Sequence, residues 1–487
     1  MNETLKLTLG YILSLVYMGA IMLLGERLHQ KWNIKKEVAR KLEHIATGGN
    51  WFIAYFFVGP TYHLVILSAV AAAALALITF GGFLHSVERD DEKRSYGLVY
   101  FGIANFIVVT ISVFLHPPLY PLTGIAFLVM TFGDGLAPLI ARIWKKNNPK
   151  IHEEKTLVGT CTVLVVSTLI AIIFNAWFNF GYSWQFLLSI GCFAAVVELY
   201  SPHTADNFTL LCGVYAYLVL AFFNFANNAF VLSVLLSLPL VLLSALQKSL
   251  TPSARAISVF YLSASSFFLG YAAFVTIVTL FLVEAVISKI TTKKFNQKRG
   301  KEIAKTPRGP LQILVNSLPA FLFAALSFAL QTPVFAYASF AALCEEFADS
   351  VASDVGRLAK KRPIDILRLR PMQAGLSGGV SLLGTLSSVL AAAFAAYLPL
   401  LFYGFSLNTY MILFAVGFLG VILDSVLGSS LQRLYQCPVC EEKTERTTHC
   451  GVPTQRIKGL AFVDNNLVNL LSGAFSACLA AIAFALL

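Results

Sequence analysis

Charge is what this 487-residue chain has least of: only 13% of its residues are Asp, Glu, Lys or Arg. A soluble domain carries about a quarter, so a purely water-soluble globule is excluded. Hydrophobic residues make up 57%, and the mean hydropathy is +0.74. Apolar runs of the roughly 17–25 residues needed to cross a bilayer recur from end to end. The familiar nucleotide motifs are missing as well. No glycine-rich P-loop is present, Lys155-Thr156 has no glycine loop before it, and the catalytic-loop and metal-binding signatures of protein kinases are absent. Any nucleotide is therefore held in another way. The first apolar run, Leu7 to Leu24, lacks the basic segment of a cleavable leader and reads as a retained helix.

What charge there is sits in bands. The stretches 45–87, 98–133, 157–197, 207–247, 256–283, 309–344 and 371–423 contain no Lys, Arg, Asp or Glu. Each can hold two helices joined by a turn. Turn signals near the midpoints include Gly59-Pro60, His116-Pro117-Pro118, Phe180-Gly181 and Gln331-Thr332-Pro333. The stretch 256–283 is tight for two spans and could hide a re-entrant or tilted element. The basic loops 26–43, 142–155, 289–308, 357–370 and 433–458 fall between hairpins. They share one face, which the positive-inside rule makes cytoplasmic. With the N-terminal helix and the run 466–487, the pattern predicts an all-α polytopic membrane protein of about sixteen transmembrane helices. The net charge of +11 then describes a cationic membrane face suited to anionic lipid heads and phosphates, with no nucleic acid as partner.

The helices fall into two related halves. Phe132-Gly133-Asp134-Gly135 through Arg142 and Lys145-Lys146 sets beside Phe347-Ala348-Asp349-Ser350 through Arg357 and Lys360-Lys361, at identical spacing. Downstream, Leu157-Val158-Gly159-Thr160 echoes Leu376-Ser377-Gly378-Gly379. Glu198 echoes Asp424, and Asp206-Asn207 echoes Asp464-Asn465. Upstream, Arg40 and His44 share a spacing with Gln312 and Asn316. Matches in one order argue for a duplication, with membrane domains at 1–227 and 228–487.

An ionisable residue at membrane depth costs about 2.5 kcal/mol or more and is a functional candidate by default. In the first half these are Asp134 between two glycines, Arg40, Lys41 and His44 on one short segment, Lys155, Glu198, and Asp206-Asn207. Glycines permit close approach of backbone to a ligand, and a carboxylate there can hold Mg²⁺ that bridges phosphate oxygens. The second half supplies Arg308, Asn316, Asp349, Asp354, Asp424, Asp464, Asn465 and Asn469. It also has a glycine-rich run, Ser377-Gly378-Gly379, whose backbone N–H groups could face a phosphate. Small residues there could equally serve helix packing. Acids for Mg²⁺, Lys and Arg for phosphate, and a His or Asp to take a hydroxyl proton are the parts of phosphoryl transfer. Asp134, Asp206, Asp349 and Asp464 are the candidate Mg²⁺ ligands. Asp134, Lys155, His44, Asp349, Asp354 and Asp424 are the candidate catalytic set.

Five of the eight cysteines are scattered through apolar runs and read as small core residues. Cys437, Cys440 and Cys450 cluster with His449 in the polar loop 433–458. Four soft ligands, the first pair as Cys-x-x-Cys, suit a structural Zn²⁺. A plain reduced loop is the alternative.

The first half resembles the CTP-dependent polyprenol kinase family, which includes dolichol kinase and phytol kinase. The resemblance rests on Glu37-x₂-Arg40-Lys41-x₂-His44, Tyr96-Gly97, Gly133-Asp134-Gly135, Lys155-Thr156-x₂-Gly159, Glu198 and Asp206-Asn207. The second half is similar to the DUF92 membrane family that contains the plant phytyl-phosphate kinase. It matches through Ala348-Asp349-Ser350-x₂-Ser353-Asp354, Gly375-x-Ser377-Gly378-Gly379, Asp424-Ser425-x₂-Gly428-x₃-Gln432 and Asp464-Asn465-Asn466-x₂-Asn469. Together these imply a bifunctional membrane kinase acting on phytol, geranylgeraniol or farnesol. CTP would give the monophosphate, and a second phosphorylation the diphosphate. A CDP-lipid synthase or diacylglycerol kinase-like enzyme would use the same inventory. A secondary transporter is the rival of another class, but its acids would lie near the bilayer midplane.

Overall fold

The computed structural model describes residues 2–31, 34–81, 96–144, 148–201, 205–223, 227–247, 249–299, 307–373 and 375–487. Lys145 and Lys146 of the repeated motif, and Pro202 to Thr204 after Glu198, lie outside them. Among the described residues, eleven helices are long and apolar enough to cross a membrane, the first Glu3–Leu28 and the last Asn465–Ala485. The apolar helices Trp184–Tyr200 and Asp206–Phe222 are shorter. Large apolar side chains stand uncovered along the long helices: Leu77 is 69%, Phe114 69% and Leu390 71% exposed. Water does not tolerate such surface and lipid does. The chain is an integral membrane protein. The turn signals Gly59-Pro60, Phe180-Gly181 and Gln331-Thr332 each fall between two helices, and His116 ends the helix Gly97–Leu115. The stretch 256–283 lies within one helical run, Pro252–Arg299, broken at Gly270. The φ of 74° there is a left-handed conformation that glycine adopts without steric cost.

The chain divides into two compact units, 1–227 with 234–243, and 228–233 with 244–487. In the first, helix Lys36–Thr47 lies against the segment that carries Asp134. Small residues make the approach possible: a Cβ on Gly48 would sit 2.7 Å from the Phe132 ring, and one on Gly135 2.5 Å from Ile45. Val129–Asp134 itself is a π-helical turn between the α-helices Tyr120–Leu128 and Gly135–Ile143, a distortion common at functional sites. The core beneath is aromatic. Trp51 stacks on Tyr55 and packs on Tyr120 and Phe174, and its indole N–H donates to Thr123 Oγ1 at 2.9 Å.

A two-stranded turn, Lys150–His152 with Lys155–Thr156, follows. Thr156 then caps helix Leu157–Phe178 by accepting the Gly159 N–H, the helix ends at left-handed Asn179, and Ser183 caps Trp184–Tyr200. The second unit repeats this order. Helix Pro333–Gly356 leads to the strand pair Ile364–Asp365 with Gly379–Val380. Ser381 caps Leu382–Tyr403 by accepting the Gly384 N–H, the helix ends at left-handed Gly404, and Ser406 caps Leu407–Ser430. The structural counterpart of Thr156-x₂-Gly159 is therefore Ser381-x₂-Gly384. The segment 376–379 lies in the turn and strand before it, which corrects the register expected from sequence. A short three-stranded sheet and a hairpin then fill the loop up to helix Asn465–Ala485.

In the second unit the core forms around Pro333–Gly356. Its alanine-rich face, with Ala338, Ala341 and Ala348 fully buried, packs with Ala392, Ala396 and Ala477 from its neighbours. Close approach of small residues is how helices gain contact in lipid.

Candidate active sites

In the first unit, chain segments far apart in sequence bring their charges together. Lys41 Nζ lies 2.6 Å from Asp134 Oδ2 and also donates to the Asp134 carbonyl at 3.1 Å. His44, one helical turn on, sets Nε2 3.2 Å from the Met130 carbonyl and 3.5 Å from the same carboxylate oxygen. Lys155 pairs with Glu198 Oε1 at 2.8 Å and also donates to the Glu198 carbonyl. Lys155 is within electrostatic reach of Asp134, and Lys41 of Glu198, so these four and His44 form one set of five. Its members are largely buried, with side-chain exposures from 6% for Lys41 to 16% for His44. Glu37 bridges Arg40 at 3.8 Å and Arg142 at 3.3 Å. Gly135 leaves room for Ile45 and His44, a packing role. Asp206 opens helix Asp206–Phe222, and Asn207 Nδ2 donates to the Gly97 carbonyl at 3.2 Å, tying two helix starts together.

The second unit gathers acids. Asp349 is within electrostatic reach of Glu284 and Arg308, which pair with one another. Asp424 is in reach of Asp349 and of Glu445, and accepts a hydrogen bond from Ser472 at 3.4 Å. Asn469 Nδ2 donates to Asn316 Oδ1 at 3.3 Å, and Asn316 also bonds Glu346. Glu345, only 3% exposed, interacts with both Asp349 and Asp424. Glycines make its space: a Cβ on Gly420 would lie 2.5 Å from Glu345 Cγ, and one on Gly473 3.5 Å from Oε2. Glu284, Glu345 and Glu346 were not singled out from sequence. The signal was present, an acid doublet directly after the charge-free stretch 309–344 and inside the helix Pro333–Gly356.

Other expected residues take other work. Asp354 pairs with Arg357. Asp464 is the N-cap of helix Asn465–Ala485: Oδ1 accepts the Leu467 N–H at 3.1 Å and Oδ2 accepts from Arg433 at 3.2 Å. Ser377 gives its N–H to Glu445 Oε1 at 2.7 Å and its hydroxyl to Asn465 at 3.4 Å. Gly378, at φ 82°, passes so close to Ser429 that a Cβ would lie 2.4 Å from the Ser429 nitrogen. Gly379 sits in the strand paired with Asp365. The glycine-rich run thus serves a backbone crossing, and the helix after it starts at Leu382.

Cys437, Cys440, His449 and Cys450 converge, with all four ligand atoms within 4.8 Å of one another. Among the described residues they are the one set of three or more His, Cys, Asp or Glu so placed. The N–H groups of Cys440 and Val439 point at the Cys437 sulfur and hold that thiol down to about 6.

The chain is similar to the phytol kinase of a Synechocystis species, at 29% identity over 214 residues, 43% of this chain and 90% of that one. It is similar to an uncharacterized membrane protein of Methanocaldococcus jannaschii at 26% over 168 residues, 34% of this chain and 68% of the other. A third relative is protein PGR of Arabidopsis thaliana, at 28% over 147 residues, 28% of this chain and half of that one. No solved structure matches. Residues 235–477 match the family described as integral membrane protein DUF92, and this match together with the likeness to a phytol kinase supports a DUF92 or polyprenol kinase-like membrane family.

Proposed function

We propose that the chain is a two-step membrane kinase of isoprenoid alcohols. The unit around Asp134 phosphorylates the alcohol from CTP, and the unit around Asp349 and Asp424 adds the second phosphate. The observation that carries the reading is that each unit keeps its own acids beside cations, buried Asp134 and Glu198 with Lys41 and Lys155, and half-buried Asp349 with Arg308. The likeness to a phytol kinase supplies the substrate class. The active sites belong to the cytoplasmic face under this reading.

In the first step the alcohol oxygen bonds to the γ-phosphorus as the bond to the leaving CDP oxygen breaks. The hydroxyl proton passes to His44 or Asp134. Lys41 and Lys155 exchange their carboxylate partners for phosphate oxygens, an exchange made easy because both charges are already held in place. A bound Mg²⁺ would supply positive charge to offset that of the phosphates. The second unit fits such an ion, since Asp349, Asp424 and Glu345 put three carboxyl groups in mutual reach. These three residues would hold the ion in the second unit. In the first unit Asp134 would exchange Lys41 for the ion.

The test uses purified protein, labelled CTP and a panel of lipid alcohols. The parent should form monophosphate and then diphosphate. Asp134→Asn should reject alcohol yet convert supplied monophosphate, and Asp349→Asn should accumulate monophosphate. Loss of both steps in each variant would mean one shared site and would end the two-step reading. A CDP-lipid formed from phosphatidate would move the assignment to cytidylyl transfer.

A further inference from the structure

The loop between helices Leu407–Ser430 and Asn465–Ala485 has little apolar core of its own. Cys437 is buried, but Val439 is 65% and Ile457 44% exposed. Segments of this kind hold a shape only when stapled. Four soft donors converge in it. Cys450 Sγ lies 3.7 Å from Cys440 Sγ, and His449 Nδ1 lies 3.3 Å from Cys440 Sγ and 3.4 Å from Cys450 Sγ. Tetrahedral Zn²⁺, with bonds of about 2.3 Å to sulfur and about 2.0–2.1 Å to nitrogen, sets neighbouring donors at close to these separations.

The backbone explains how adjacent His449 and Cys450 reach the same point. Successive side chains on a strand face opposite ways. Here His449 ends the strand Thr448–His449, and Cys450 takes φ 52° with Gly451 at 77°. That left-handed turn swings the Cys450 sulfur back to the His449 side. The first knuckle closes in parallel, with Glu441 at φ 57° donating its N–H to the Cys437 carbonyl at 2.9 Å.

We propose that Cys437, Cys440, His449 and Cys450 hold a structural Zn²⁺ that fixes Glu445 beside the second acid set. Glu445 follows the first knuckle closely. It clamps the Ser377 N–H at 2.7 Å and lies in electrostatic reach of Asp424. Glu442 reinforces the strap by accepting from Gln373 Nε2 at 3.1 Å. The loop together with Gln373, Gly375 and Leu376 walls a polar cleft of about 660 Å³, which Gln432, His449 and Asn465 also line. The metal thus holds the wall of this cleft that carries Glu445, without touching substrate. The metal assignment stands on the donor geometry alone, and only its effect on activity rests on the two-step reading.

Full-length protein purified without a metal column, and analysed by elemental mass spectrometry, should carry about one zinc per chain. Cys440→Ser should lose most of it and expose 433–458 to protease. Glu445→Gln should keep its zinc yet slow conversion of prenyl monophosphate at least tenfold. In both variants the conversion of alcohol to monophosphate should stay within twofold of the parent. Metal-free parent protein with the loop thiols open to alkylation would overturn the site. Bound zinc with an unchanged second step in Glu445→Gln would overturn its positioning role. If the parent phosphorylates nothing, the two-step reading fails while the metal analysis still decides this one.

Discussion

Lys41 and Asp134 offer the sharpest separation of chemistry from structure. Their charges meet at 2.6 Å with side-chain exposures of 6% and 11%. Asp134→Asn removes one charge and leaves the other buried, which costs about 3–5 kcal/mol for pairs of this kind. Lys41→Met does the same from the other side. Combining them leaves neither charge of this pair without its partner, and a neutral pair of similar volume is often as stable as the ions it replaces. The double variant should therefore regain most of the lost stability, with helix Lys36–Thr47 still anchored through His44 and the Met130 carbonyl. Activity should behave oppositely. All three variants should lose alcohol phosphorylation by about a hundredfold or more, the usual cost of one preorganised electrostatic contact. Thermal unfolding in detergent, run beside phosphorylation of a labelled prenol, reads both quantities. The reasoning fails if the double variant is no more stable than the singles, or if Asp134→Asn stays active.

Lys155→Ala should raise the KM for nucleotide in the first step by about ten- to a hundredfold, as expected for a lost charge-assisted hydrogen bond of about 1.5–3 kcal/mol, and initial rates against CTP concentration will check it. Gly420→Ala puts a methyl 2.0 Å from Ser476 Oγ and 2.5 Å from Glu345 Cγ. It should cost about 1–3 kcal/mol by overpacking and slow only the second phosphorylation, measured as conversion of supplied monophosphate. Gly378→Ala combines a left-handed φ with a backbone clash against Ser429 and should lower the melting temperature of the purified protein more than Gly309→Ala, which meets open space.

How much of this was legible in the sequence depends on the range of the forces involved. Helix ends and turns are local, so charge gaps and Gly-Pro signals located them. The cysteine set was legible for the same reason, since its donors lie within one loop. The pairing of Lys41 with Asp134 was not, because nothing in either segment encodes which distant partner it meets. Both residues were nonetheless on the candidate list, since charge in an apolar chain is conspicuous. Glu345 escaped because it sits just past a charge-free stretch with no motif around it. Its burial depends on Gly420 and Gly473, which come from two later helices. Ser377-Gly378-Gly379 left two readings open, because glycine that a phosphate needs and glycine that a backbone crossing needs are spelled alike.

The matched caps carry a consequence for how such chains should be compared. Leu157–Phe178 and Leu382–Tyr403 are both 22 residues long, and each begins at a hydroxyl cap and ends at a left-handed residue, Asn179 in one and Gly404 in the other. Between those fixed points the two helices differ in sequence, and lipid asks only that their residues be apolar. An alignment anchored on capping hydroxyls and left-handed stops would keep its register where one anchored on composition slips, and it would find distant members of the family by where their helices start and stop.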